Sequence, residues 1–173
     1  MGIDTINYDG QKVPKYISDG FHSQYIFPIA TKVCTGVGLD IGCGREDWKL
    51  PGSFGIDPKI TPDLDAYNLP SWNDNLKTWD YIFSSHCLEH LPDYMKALRY
   101  WTTAIKSGGT LFLYLPHPRC VHWRPHVKMS SSVHYHQFYP EQMEEIFFSL
   151  GYRNIFVSEC DLAYSFAVMG TKS

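Results

Sequence analysis

Short apolar runs and amphipathic stretches alternate along the chain. Residues 21–34 carry apolar side chains at 25, 26, 29, 30 and 33, a helical spacing that Pro28 interrupts, so a kink or a late start is expected. Val37, Leu39 and Ile41 predict a short buried strand over 36–41, and Phe54, Gly55 and Ile56 a second over 53–57. A third strand is predicted to end at 64–66, and the polar stretch SWNDNLKT forms a connection over 71–78. Tyr81, Ile82 and Phe83 carry a fourth strand that ends at Ser84, Ser85 and His86. Pro92 and Asp93 open a helix with Met95, Leu98, Trp101, Thr102 and Ile105 on one face, and Gly108 and Gly109 are read as its stop. A fifth strand covers 110–115. A helix over 140–150 has Met143, Ile146, Phe147 and Leu150 on one face and Gly151 as its cap, and strands near 153–159 and 164–170 complete the pattern.

Strands alternating with helices predict an α/β fold with helices on both faces of a mostly parallel sheet. The short polar turn between the last two strands makes that pair antiparallel. Ligands in such sheets sit at the carboxyl ends of the strands. That edge carries the 42–44 turn, Asp57, Asp65, Ser84, Ser85, His86, Pro116 and His117. At 173 residues the chain is read as one domain, 1–173. Residues 1–20 are read as a polar arm, and 116–139 as a loop too long to be idle in a compact domain.

Chemistry enters at Gly38-Leu39-Asp40-Ile41-Gly42-Cys43-Gly44, a buried strand that stops in a glycine turn. Gly42 and Gly44 allow a sharp turn and close approach of a ligand. Asp57, thirteen residues after Gly44, ends the next strand. An acid at that place accepts hydrogen bonds from ribose hydroxyls, so the pair of features is a nucleoside-binding arrangement. A dinucleotide turn needs a third glycine where Asp47 stands, and Glu46 and Asp47 would repel a pyrophosphate. S-adenosylmethionine (SAM) has no phosphate and carries a sulfonium and an ammonium, which suit an acid-rich turn; Asp40 is expected to face the ammonium.

These segments, LDIGCG and GIDP followed by LDAYNLP, WDYIFSSHCLEHLPD and IKSGGTLFLYLP, resemble the class I SAM-dependent methyltransferases. The likeness is greatest to the methyltransferase type 11 group, whose small members carry an S-H-x-L-E-H stretch. It runs from about residue 36 to 116 and more loosely beyond. It implies a Rossmann-like three-layer sandwich with a seven-stranded sheet of order 3-2-1-4-5-7-6, strand seven reversed. It also implies a cofactor site of Asp40, Gly42, Cys43, Gly44, Asp57, Pro58, Asp65, Ala66, Ser84 and Ser85, with S-adenosylhomocysteine (SAH) as product. In it, Asp65 meets the adenine amino group and the serines hold the methionine part. The chain departs from the pattern in two ways: Glu46 replaces the usual third glycine, and Asp40 and Asp57 are only 17 positions apart. Pro51 and Gly52 break that interval, so a one-turn helix or a loop is expected there, with a more open cleft.

Composition adds limits. Net charge is −3, which gives no whole-chain footprint for nucleic acid, and no apolar run reaches membrane-spanning length. The five cysteines form no C-x-x-C pair and are odd in number, which argues for a reducing compartment. The opening MGIDTINYDG is polar and acidic, so the reading is cytoplasmic, with no membrane partner.

His86-Cys87-Leu88-Glu89-His90 matches the H-x-x-E-H zinc-hydrolase motif, but Pro92 and the preceding strand leave no room for the long helix that motif needs. Some ubiquinone-pathway and small-RNA methyltransferases hold a divalent ion through E-x-x-E-H here; in this chain His86 replaces the first acid. Glu89 and His90 are therefore read as orienting the loop, with no metal site. His86 and His117 are the candidate catalytic residues, His117 first because Pro116 and Pro118 stiffen its attachment. Five histidines fall within 116–139, with Arg119, Trp123, Arg124, Lys128, Tyr135 and Phe138 among them, and this stretch is read as a substrate lid. The resulting expectation is a SAM-dependent methyltransferase with a small-molecule acceptor, a sugar or nucleotide-sugar hydroxyl by resemblance. The rivals are a metal-dependent enzyme acting on an RNA end, and a non-catalytic SAM-fold module.

Overall fold

Apolar side chains on both sides of the central strands demand cover on both faces, and the computed structural model supplies it. It describes residues 4–8, 10–15, 20–70, 79–125 and 134–173. The described elements are β1 (Thr5–Tyr8), β2 (Gln11–Pro14), α1 (Phe27–Val33), β3 (Gly38–Ile41), β4 (Phe54–Ile56) and β5 (Trp79–Ser85). They continue with α2 (Tyr94–Ala104), β6 (Ile105–Pro116), α3 (Pro140–Ser149), β7 (Tyr152–Val157) and β8 (Ser165–Lys172). Ile82, Leu111, Leu113 and Val168 pack with Leu98 and Trp101 of α2 and Phe147 of α3. Tyr81, Phe83, Phe112, Tyr114 and Ala167 face the other way and pack with Ala30 of α1. This period of two within each strand is what makes three layers.

The sheet has the order β4-β3-β5-β6-β8-β7 among the described residues. β3 is parallel to β4 and β5, β5 is parallel to β6, and β8 runs antiparallel to both β6 and β7. The expected order therefore survives without its third strand. Where that strand was expected, Asp65 and Asn68 form a single antiparallel bridge. Asp65 Oδ1 accepts from Tyr67 N at 2.7 Å and folds the segment into a turn between Pro62 and Pro70. Trp101 Nε1 donates to Ala66 O at 2.7 Å and pins that turn to α2.

Other boundaries shift for local reasons. Pro28 sits in the first turn of α1, giving the late start. Asp93 caps α2 by accepting from Lys96 N, but the helix ends at Ala104, earlier than the two glycines. Ile105 already pairs with Trp79, and Gly108 and Gly109 lie in an irregular excursion of β6 before Thr110 meets Tyr81. A Cβ on Gly109 would stand 2.7 Å from Asp80 O. The presumed arm contains a hairpin: β1 and β2 pair antiparallel, and Val13 is buried against Cys120 and Trp123. The 71–78 connection lies outside the described residues, as do His126 and Lys128. Among the described residues no helix is long and apolar enough to cross a membrane.

Candidate active site

Ile41 is in register with Ile56 on one side and Ser84 on the other, so three strands end at one level. The chain leaves β3 through Gly42 at φ 82° and Gly44 at φ 74°. A side chain at Gly42 would place its Cβ 2.4 Å from Cys87 Sγ, so only glycine fits. Gly42 N donates to Ile56 O at 2.7 Å, and Gly44 N to Asp57 Oδ2 at 3.0 Å. Asp57 Oδ1 accepts from Lys59 N at 3.0 Å, which fixes the carboxylate beside the turn.

A cleft of about 410 Å³ opens there. Of the expected cofactor residues, Gly42, Cys43, Gly44, Asp57 and Ser85 line it, and so does His86. Ser85 Oγ is buried with no hydrogen-bond partner among the described residues, a donor and acceptor ready for a ligand. Burial and the nearby carboxylates push the Cys43 thiol up to about 12, so it stays protonated.

Other expected residues stand elsewhere. Asp40, expected at the cofactor ammonium, is 1% exposed beneath the turn, and its Oδ2 accepts from Leu50 N at 2.6 Å. It holds the short crossover in place, and burial raises its carboxyl to about 7. Ser84 Oγ is likewise buried and donates to Ile41 O at 2.8 Å, tying β5 to β3. Pro58 is exposed at the start of the turn after Asp57. Asp65 and Ala66 form the turn described above and do not line the cleft.

The crossover is as short as its length demands. Its only helical part is the 3-10 turn Glu46–Trp48. Glu46 pairs with Lys49, and Asp47 with Arg45 at 2.9 Å. With both acids matched by cations, repulsion of a pyrophosphate is a weaker discriminator than the sequence suggests. Trp48, unremarked in the sequence, lines the cleft, with its ring stacked on Phe21 at 5.1 Å. His22 and Ser23, from the segment before α1, and Lys59 line it too. No local pattern announces them, because the N-terminal segment reaches the cleft only through the tertiary fold.

The two catalytic candidates are separated. His86, at φ 48°, lines the cleft and stacks on His22 at 4.4 Å. Its Nε2 lies 2.9 Å from Ser165 Oγ. Burial, reinforced by His22, His134 and His90, lowers its pKa well below the usual histidine value, so it is neutral. His22 is lowered to about 4, again mainly by burial. His117 does not line the cleft. It borders a second cavity of about 640 Å³ with Arg119, Arg124, Tyr139 and three glutamates. Its Nδ1 accepts from Arg119 N at 3.1 Å, and burial lowers its pKa. The two candidates thus stand at different cavities, His86 at the cleft beside the glycine turn and His117 at the second one.

The described parts of 116–139 are anchored. His122, Trp123, His134 and Phe138 are buried. Tyr135 N and His136 N both donate to Glu89 O, and His136 Nε2 lies 3.0 Å from Leu91 O. Glu89 itself is fully buried, and burial raises its carboxyl to about 8.

A family model described as a methyltransferase domain matches residues 24–157. No curated protein matches the chain. Among solved structures, a SAM-dependent methyltransferase from Archaeoglobus fulgidus aligns with TM-score 0.63 at 16% identity, covering 91% of this chain and 98% of that one. A SAM-dependent methyltransferase from Thermotoga maritima aligns with TM-score 0.62 at 15% identity, covering 92% and 95%. A Haemonchus contortus N-methyltransferase, solved with phosphomonomethylethanolamine and SAH, aligns with TM-score 0.57 at 15% identity, covering 90% and 58%. Such identities establish the likeness of fold, and the family match spans most of the chain. The chain belongs to the methyltransferase domain family and has the class I fold seen in the SAM-dependent methyltransferases it resembles.

Proposed function

We propose that the chain transfers the methyl group of SAM to a hydroxyl of a small polar acceptor, with sugars and nucleotide sugars as the first class to test. The observation that carries this reading is the cleft: a glycine turn locked to Asp57, opening onto the unpartnered Ser85 Oγ and two stacked imidazoles. In this reading the ribose hydroxyls meet Asp57 and the adenosine lies toward Trp48. Gly42 and Ser85 would hold the methionine part, and His86 and His22 are the imidazoles beside them in the cleft. Bound SAM would supply its methyl group to the acceptor oxygen, whose proton would pass to a base of the chain as SAH is left. The protein holds the reactants in line and takes the proton, while SAM supplies the electrophile. His86 is the imidazole positioned for that proton.

The second cavity supports a polar acceptor. Arg119 and Arg124 suit an anionic group, Tyr139 offers a ring, and Glu141, Glu144 and Glu159 suit sugar hydroxyls. His117 on its wall then positions the acceptor. The test is SAH formation from SAM with free sugars, nucleotide sugars and short RNAs offered in parallel. Turnover with the first two classes is the expected result. Turnover on RNA ends alone would replace the acceptor, and SAH binding without turnover on any class would make the chain a binding module.

A further inference from the structure

Neither oxygen of the fully buried Glu89 has a hydrogen-bond partner among the described residues. A carboxylate orphaned in the interior is costly unless something pairs with it. Three imidazoles surround it. From Glu89 Oε1, His86 Nδ1 stands at 3.6 Å, His90 Nε2 at 3.9 Å and His134 Nε2 at 3.9 Å. These separations are too long for hydrogen bonds, yet they resemble the edges of a coordination shell. A tetrahedral shell with bonds of ~2.1 Å sets its ligand atoms roughly 3.4 Å apart. The ligand atoms of Glu89, His90 and His134 all lie within 4.8 Å of one another, so small side-chain movements close the shell.

His134 is oriented for the task. Its Nδ1 lies 2.8 Å from Trp123 O, so Nδ1 carries the proton and the Nε2 lone pair faces Glu89. A backbone carbonyl holding the far nitrogen is the usual outer support of a metal-binding histidine. The segments bearing the two residues are also tied together, since Tyr135 N and His136 N donate to Glu89 O.

We propose that Glu89, His90 and His134 bind one divalent transition-metal ion at the wall of the cofactor cleft. Two imidazoles and one carboxylate favour Zn²⁺, Mn²⁺ or Fe²⁺ over Mg²⁺ and Ca²⁺, which prefer all-oxygen shells. Three protein ligands leave a coordination position open. Glu89 and His134 are buried while His90 lines the cleft, so the open position is reached from the cleft. Resting on the methyl-transfer reading, the ligand for that position is the acceptor hydroxyl, whose proton the ion would help release.

The test uses the full chain, freed of metal with EDTA and titrated by calorimetry with Zn²⁺, Mn²⁺ and Mg²⁺ alone. One equivalent of Zn²⁺ or Mn²⁺ should bind, with Mg²⁺ far weaker. His134→Gln should weaken Zn²⁺ binding beyond the roughly 10–100-fold loss that follows disturbance of outer-shell groups. Failure of the wild type to take up a transition ion overturns the proposal, as does undiminished binding by a folded His134→Gln chain. If that variant does not fold, the absorption of Co²⁺ in the wild type decides. A spectrum free of thiolate charge transfer supports the site, and a thiolate band moves the ion to a cysteine and overturns it. SAH is titrated into the same metal-free protein. SAH binding without metal binding defeats this site alone, and metal binding without SAH binding defeats the methyl-transfer reading alone.

Discussion

Asp40 sits in the sheet interior with a charge the surroundings disfavour. Its folded-state pKa of about 7 lies above its ordinary value of 3.8. The fold thus prefers the neutral acid. The contribution to stability is complete below the ordinary value and is lost as pH rises through about 7. Asp40→Asn keeps an acceptor for Leu50 N and removes the titration. Urea unfolding from pH 5 to pH 8 should show a shallower loss of stability in the variant, with SAH affinity little changed. Equal slopes would contradict the burial argument, and a collapse of SAH affinity would restore Asp40 to the ammonium. Gly42→Ala combines a positive φ with contact against Cys87, strain worth about 1–3 kcal/mol. Calorimetry should show SAH binding weakened by roughly 10–100-fold. Asp57→Ala removes the partner of Gly44 N and, in the proposed reading, of the ribose, and should cost about 1.5–3 kcal/mol of SAH binding.

At the scale of elements, the strand ends carry the site and the connections decide how it is closed. The glycine turn, Asp57 and the end of β5 were legible because hydrophobic period and turn chemistry are local. The short crossover was legible from its length. The third strand was not: Leu64 and Ala66 resemble a strand end, but Asp65 folds them into a turn. Nor were Trp48 and His22, whose place in the cleft follows from packing of the N-terminal segment. Trp48→Ala should weaken SAH binding by about 1 kcal/mol through lost ring contact. The separation of the two histidines gives a kinetic contrast. His86→Ala should lower turnover by roughly 10²–10⁴-fold with SAH affinity nearly kept. His117→Ala should raise KM for the acceptor with smaller loss of kcat. Steady-state kinetics with the acceptor distinguish them, and the reverse pattern would return the base to the β6 end.

At the scale of the whole molecule, one level edge of the sheet gathers residues from distant parts of the chain. The α/β alternation, the antiparallel last pair and the carboxyl-edge site follow from patterning that each segment carries alone. The meeting of Glu89 with His134, 45 positions away, does not, because only the folded chain sets 134–138 over 88–92. The histidine-rich stretch reads in the sequence as a substrate lid, and four of its described members, His122, Trp123, His134 and Phe138, are buried. The central claim is that the cleft beside Gly42, Gly44 and Asp57 is a SAM site. Calorimetric titration of SAH and of NADH into the purified chain tests it most directly. The account predicts SAH binding in the low- to mid-micromolar range, about 7–8 kcal/mol, weakened by Asp57→Ala, and no binding of NADH. NADH binding without SAH binding would contradict it.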